Sequence, residues 1–230
     1  MLKMVDYGCI FVEHAKGSQQ GEEKMDLGVP LIRYEKVDIS KLEAAMKSQP
    51  ASYWEIDRVN RVALAGSRPG NAVFFYNDKP AFASRRPIDE IETGILNVLR
   101  YSARPLFKEV NAIIQEHIKT EFPDCNPIRV QLAELPPGEV IAPHRDQGIL
   151  SMIHRLHVPV VTHKDVIFVI QDERFFLEVG QLYDLNNAVK HSVENNSSVM
   201  RIHLLVDMLP DRLARVVYHD SEDAMRAAVG

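Results

Sequence analysis

Two histidines and one aspartate in the C-terminal half of the chain have the spacing of a metal site. His144 and Asp146 stand two residues apart in APHRD, and a strand turns residues i and i+2 to the same face. His191 follows 47 residues after His144, a distance over which a β-sandwich chain can return to a neighbouring strand. Two imidazoles and one carboxylate hold one face of an octahedral Fe(II) and leave three positions open for a co-substrate and O2. Taken alone, His144 and Asp146 also fit a hydrogen-bonded pair on a surface strand.

A candidate anion site follows the second histidine. Arg201 stands ten residues after His191 in MRIHLLVD, where it shares a strand face with His203 while apolar side chains take the other face. A guanidinium on such a buried strand costs several kcal/mol unless a carboxylate pairs with it, and its planar fork fits a carboxylate with two hydrogen bonds. A carboxylate co-substrate is one candidate for that partner.

The same arginine pattern occurs earlier, in HRLHVPVV, where Arg155 and His157 share one face. Two such strands that point cationic groups into one cavity would suit a dicarboxylate. The sequence leaves an alternative open, in which Arg155 and Arg201 pair with core acids such as Asp207 or Glu134. In that alternative, the histidines two positions after each arginine are ordinary core residues.

Short β-type runs separated by turns surround these residues after Pro123. There are eight of them in about 80 residues, and they predict a compact antiparallel sandwich or barrel. The runs are IRVQLAEL, VIAPH, MIHRLHVPVV, VIFVI, RFFLEV, QLYDL, HSV and MRIHLLVD.

The N-terminal half predicts strands and flanking helices. VPLIRYEKVD suits a strand, the capping-box pattern of residues 40–43 opens a short helix through Met46, and residues 60–77 suggest a hairpin. Apolar residues at three- and four-residue steps from Ile88 to about Glu121 predict two helices separated by Pro105. From about Pro210 to Val229 the chain has a weak helical pattern.

Composition limits the class of protein. A chain of 230 residues with 46% apolar and 26% charged residues predicts one globular domain over residues 29–230, with residues 1–28 mobile or loosely packed. The net charge of −5 argues against nucleic acid or an anionic membrane as partner. Cys9 and Cys125 lack metal-type spacing, and no apolar run approaches 18 residues, which favours a cytoplasmic protein without a membrane span.

The stretch from about Pro143 to Asp207 resembles the aspartyl/asparaginyl β-hydroxylase family of Fe(II)/2-oxoglutarate dioxygenases, which includes bacterial proline hydroxylases. The resemblance rests on PHRD, RLHVPVVT, DVIFVI, RFFLEVGQLYDLNN, KHSVEN and RIHLLVD. It implies a mainly β protein with flanking helices, whose double-stranded β-helix core, a cupin-like jelly roll, spans about residues 128–208.

The resemblance also implies roles for single residues. His144 and His191 match the iron histidines, and Arg201 matches the arginine that holds the distal carboxylate of 2-oxoglutarate. Arg155 and His157 match an R-x-H pair near the other end of the co-substrate. Fe(II), 2-oxoglutarate and O2 would then hydroxylate a C–H bond and release succinate and CO2.

This chain departs from the animal members of the family in one ligand. Those enzymes lack the carboxylate ligand, whereas Asp146 is present here, as it is in the bacterial hydroxylases of free amino acids. We therefore expect a small amino-acid-like substrate and hydroxylation over halogenation. A peptide or protein side chain, a lipid-linked acyl group, or a binding module without turnover stay open as alternatives. The sequence leaves the oligomeric state open too, with a homodimer as one form.

Overall fold

The computed structural model describes residues 24–64, 66–78 and 94–220. Most of the segment 1–28, predicted from its composition to be loosely packed, lies outside these residues. So do residues 79–93, which begin the first of the two helices predicted around Pro105.

Thirteen strands make up about half of the described chain. They are β1 (Leu31–Lys36), β2 (Asp57–Ala63), β3 (Gly66–Asn77), β4 (Ile95–Arg100), β5 (Cys125–Leu135), β6 (Val140–His144), β7 (His154–Val161), β8 (Val166–Ile170), β9 (Glu173–Phe175), β10 (Gln181–Leu185), β11 (His191–Asn195), β12 (Arg201–Pro210) and β13 (Arg215–Asp220). Each of the eight runs read after Pro123 contributes one strand, although β9 covers only the start of RFFLEV.

The strands form two sheets. The large sheet runs β1, β10, β7, β12, β5, β3, β4, β13, with β2 added at β3, and the small sheet runs β6, β11, β8, β9. Every neighbouring pair is antiparallel except β4 with β13. Strand β12 is buried over nearly all of its length because it lies in the middle of the large sheet with both faces covered.

An apolar layer fills the space near the small sheet, where β8 turns alternate residues inward. Its buried members are Leu135, Val166, Phe168, Ile170, Leu177, Tyr183, Leu185, Val189 and Val193. This two-sheet arrangement confirms the predicted mainly β class with a jelly-roll core.

Short helices join a second and larger core cluster. They are α1 (Ser40–Met46) and α2 (Phe107–Ile113), which continues through a π-helical turn (Ile114–Ile118) into a last turn (Lys119–Glu121); 3-10 turns lie at Ala51–Glu55 and Gly148–Ser151. Leu42, Val110 and Ile118 are buried in that cluster. None of the described helices has the length and the apolar character needed to span a bilayer.

Two predicted helical segments are strands instead. Ile95–Arg100 pairs with β3 and β13, so Leu96 and Val98 are buried at period 2, although the apolar spacing had suggested a helix. Arg215–Asp220 lies in the tail predicted to be helical, and it supplies the parallel partner strand. In both cases sheet pairing between segments far apart in sequence outweighed a local periodicity that fits helix and strand alike.

Candidate metal centre

The two histidines of the predicted triad face each other across a strand pair. His144 ends β6 and His191 begins β11, directly opposite each other in the antiparallel register, with ring centroids 4.3 Å apart. Asp146 follows in the loop after β6, where its amide donates to the carbonyl of Asn187 at 3.1 Å. One donor atom from each of the three side chains lies within 4.8 Å of the other two. The structure therefore brings together the residues that the sequence proposed as ligands.

Backbone carbonyls fix the tautomers of both rings. His144 Nδ1 donates to the carbonyl of Ala142 at 2.7 Å, and His191 Nδ1 donates to that of Val189 at 2.9 Å. Because a carbonyl only accepts, each Nδ1 carries the hydrogen and each Nε2 keeps a lone pair for a metal. Burial lowers the pKa of His191, which favours the neutral form that a metal requires.

The carboxylate of Asp146 has its two oxygens in different surroundings. Oδ1 lies 3.9 Å from His144 Nε2, whereas Oδ2 accepts a hydrogen bond from Arg155 Nη1 at 2.7 Å. Arg155 also donates from Nε and Nη2 to Asp207, at 2.9 and 3.1 Å. The sequence left two partners open for Arg155, a co-substrate carboxylate or a core acid. In the structure Arg155 pairs with a core acid, Asp207.

Arg201 has a different environment from Arg155. Its side chain is 3% exposed, Nη2 donates to the carbonyl of Ala133 at 3.3 Å, and Nε has no partner among the described residues. Glu134, the acid considered as its partner, accepts instead from Asn71 Nδ2 at 3.0 Å. Burial, with a contribution from the charge of Arg61, lowers the pKa of Arg201 to about 9. Such a group needs a carboxylate that the described part of the chain does not provide.

Two neutral imidazoles lie near Arg201. The Nδ1 atoms of His157 and His203 are 3.4 Å apart, and the ring of Phe168 stacks on His203 and meets His157 edge-on, with both centroid distances 5.5 Å. Burial and then the charge of Arg201 hold the pKa of both histidines well below the usual value. The Nε2 atom of each ring has no partner among the described residues. Buried polar groups of this kind are normally hydrogen-bonded, so these atoms of the three side chains are candidates for contact with a bound ligand.

Some contacts were not apparent from the sequence. His154 turns away from Arg155 as expected, but its Nδ1 lies 2.6 Å from Asp184 Oδ2, a buried acid to which the sequence gave no role. Arg129 Nε donates to Asp207 Oδ2 at 2.8 Å. Only the register of neighbouring strands could have revealed these pairs.

Comparison with known proteins identifies one matching family model. Residues 97–210 match the family model described as aspartyl/asparaginyl beta-hydroxylase. No curated protein sequence matches the chain significantly.

Among the matching solved structures, one is similar in fold over most of both chains, and two others align less well. An oxidoreductase of the 2OG-Fe(II) oxygenase family from Burkholderia pseudomallei has a TM-score of 0.56 at 10% identity, over 78% of this chain and 85% of that one. The non-heme monooxygenase ThoJ, in its apo form, has a TM-score of 0.40 at 14% identity, over 53% and 73%. A cupin domain from Bordetella pertussis has a TM-score of 0.29 at 19% identity, over 36% and 92%.

The family match covers the segment that contains His144, Asp146, His191 and Arg201, and the fold is similar to that of a 2OG-Fe(II) oxygenase. Through residues 97–210, about half of its length, the chain belongs to the aspartyl/asparaginyl β-hydroxylase family and is therefore an oxidoreductase.

Proposed function

We propose that the protein hydroxylates a C–H bond of a small amino-acid-like substrate, with Fe(II), 2-oxoglutarate and O2, and releases succinate and CO2. The observations that carry this proposal are a set of three convergent ligands and a buried arginine without a carboxylate partner among the described residues.

The ligand set fits Fe(II). His144, Asp146 and His191 offer two imidazole nitrogens and one carboxylate oxygen, and this is the set that leaves three positions open on one face. Bound there, the metal would supply the activation of O2 and the oxidative decarboxylation of 2-oxoglutarate. The chain's own part is to fix both imidazole tautomers through Ala142 and Val189 and to hold the carboxylate through Arg155.

Arg201 is the best candidate to bind the co-substrate. A distal carboxylate of 2-oxoglutarate would supply the acceptor that Arg201 Nε lacks, and charge-assisted pairing of this kind is strong in a buried site. His157 and His203 are neutral there and can donate or accept through Nε2 without a charge that competes with Arg201. Arg155 already donates hydrogen bonds to two carboxylates. We therefore propose that Arg155 holds Asp146 and does not bind the co-substrate.

The choice of a small substrate rests on Asp146. The family resemblance links a carboxylate ligand at this position to bacterial enzymes that act on free amino acids. The carboxylate of Asp146 would also occupy a metal position that a halide could otherwise take. Its presence therefore favours transfer of hydroxyl over transfer of halide.

Release of succinate tests the proposal directly. The purified protein, loaded with Fe(II) and supplied with 2-oxoglutarate and O2, should release succinate above its background rate when the correct free amino acid is added. His144→Ala should abolish this release, whereas Arg33→Met, which removes an exposed arginine paired with Glu178, should leave it unchanged. Stimulation by peptides alone would contradict the small-substrate part, and no succinate with any amino acid or peptide would contradict the hydroxylase.

A further inference from the structure

We infer that Asp207 is a positioning residue for the metal ligand Asp146, on which it acts through Arg155. In this view a row of buried ion pairs anchored in the large sheet presents a single carboxylate oxygen to the metal. The inference rests on the proposed iron site, and it assigns a task to residues that do not themselves touch the metal.

The row begins with strand register. Asp207 lies on the central strand β12, directly opposite Arg155 of β7 on one side and Arg129 of β5 on the other. Residues opposite each other in neighbouring strands share a face, so all three side chains lie together on the sheet. Asp207 accepts from both arginines, at 2.9 and 3.1 Å from Arg155 and at 2.8 Å from Arg129.

The row then crosses between the sheets. Asp146 follows β6 of the small sheet, and the hydrogen bond from Arg155 Nη1 to its Oδ2 ties this ligand to the large sheet. All three guanidinium nitrogens of Arg155 thereby donate hydrogen bonds, two to Asp207 and one to Asp146. Since the guanidinium is planar and rigid, the position of Asp207 sets the direction in which Nη1 points.

Because these side chains are buried, water cannot readily take the place of a lost ion-pair partner. The side chains of Asp207 and Asp146 are 2% and 7% exposed, and those of Arg155 and Arg129 are both 12% exposed. Removing one partner of a buried ion pair is strongly destabilising because it leaves the other charge without compensation.

The consequence concerns how Asp146 binds. Because Oδ2 accepts a hydrogen bond from Arg155 whereas Oδ1 lies 3.9 Å from His144 Nε2, Oδ1 is the oxygen better placed to bind a metal. A carboxylate that bound through both oxygens would occupy one of the three positions needed for co-substrate and O2. The row of ion pairs would therefore keep three metal positions open and also maintain the affinity for the metal.

Titration of the metal-free protein with Co(II), followed by the d–d absorption of the bound ion, tests this inference without turnover. Asp207→Asn and Arg155→Lys should each raise the dissociation constant for Co(II) about 10- to 100-fold, the usual effect when an outer partner of a metal ligand is lost. Their Co(II) spectra should also differ from that of the unmodified protein, because the geometry of the carboxylate ligand changes.

The matched control is Asp184→Asn. Asp184 is fully buried and pairs with His154, the residue next to Arg155 on β7, and among the described residues it has no hydrogen bond or ion pair with Asp146. This variant should lose thermal stability and keep the Co(II) dissociation constant within about twofold, since it leaves the contacts of the ligand unchanged. If Asp207→Asn fails to fold, the double variant Asp207→Asn/Arg129→Gln removes one charge of each sign and should show the same weakened Co(II) binding.

The outcomes separate the two proposals. An unmodified protein that fails to bind Co(II) overturns the proposed function and this inference with it. If the unmodified protein binds Co(II), and Asp207→Asn and Arg155→Lys bind it with the same dissociation constant as the unmodified protein, the inference alone is overturned. Weakening of the same size in Asp184→Asn would also overturn it, because the effect would then come from general loss of stability.

Discussion

Replacement of Arg201 by methionine should make the protein more stable and unable to hold 2-oxoglutarate tightly. Arg201 is 3% exposed, and one carbonyl at 3.3 Å is its only hydrogen-bond acceptor among the described residues. Replacing buried charges by apolar side chains of similar volume is often neutral or stabilising by about 1–4 kcal/mol. Because this charge lacks a carboxylate partner, we expect a gain in the free energy of unfolding within that range when no co-substrate is present.

The effect of the co-substrate should have the opposite sign. Loss of one partner of a buried hydrogen-bonded charge pair costs about 2–5 kcal/mol, which corresponds to a rise in dissociation constant of about 30-fold to several thousand-fold. At a 2-oxoglutarate concentration of about 100 times its dissociation constant, the unmodified protein should gain about 2.7 kcal/mol in unfolding free energy. A variant that binds 100-fold more weakly should gain only about 0.4 kcal/mol at the same concentration.

Chemical denaturation with and without 2-oxoglutarate, in the presence of a redox-inert divalent metal, measures both effects. Arg33→Met is the control, since this arginine is exposed and paired with Glu178. The reasoning is refuted if the Arg201→Met variant is less stable than the unmodified protein without 2-oxoglutarate and gains as much stability when it is added. That result would mean that Arg201 contributes to packing and does not bind the co-substrate.

Three other expectations follow from single contacts. His191→Ala should weaken Co(II) binding by more than the roughly 10- to 100-fold lost with an outer partner, and unchanged affinity in a Co(II) titration would exclude this residue as a ligand. Burial lowers the pKa of His154, but its interactions with Asp184 and Cys125 together outweigh burial and raise the pKa to about 10. The stability from this pair should be complete below about pH 6.5 and lost as pH rises through about 10, and denaturation curves of His154→Gln should lack that loss. Phe168→Ala should cost about 3–5 kcal/mol in urea denaturation because it empties a fully buried site beside His203, and a cost below about 1 kcal/mol would contradict that packing.

The β-rich core could be predicted because its signals are local. Strands β5 to β12 are short apolar runs that end at turns, and each was recognisable from its own residues. The errors fell where local signals are ambiguous. Ile95–Arg100 has apolar residues at spacings that serve a helix or a strand, and only its pairing with β3 and β13 decides between them.

The ligand set was predictable for a similar reason. The sequence placed His144 and Asp146 on one side through a separation of two residues on a strand. Strand β6 ends at His144, however, so Asp146 lies in the loop beyond it, where its amide is held by the carbonyl of Asn187. That His191 lies opposite His144 depends on the register of β11 against β6, which the sequence could only suggest through the distance between them. The interactions of Asp207 with two arginines, and of His154 with Asp184, depend on register alone.

The two arginine strands show where the sequence stops and the tertiary structure begins. Arg155 and Arg201 each stand two residues before a histidine on an apolar strand, and by itself the sequence determined that both would be buried with a strong need for a carboxylate. The register of the large sheet decided how that need is met. It places Asp207 opposite Arg155 and Leu135 opposite Arg201, so that one guanidinium is satisfied within the protein while the other stays available for a ligand. Cross-strand neighbours are set by the pairing of distant segments, and no pattern within either strand encodes them.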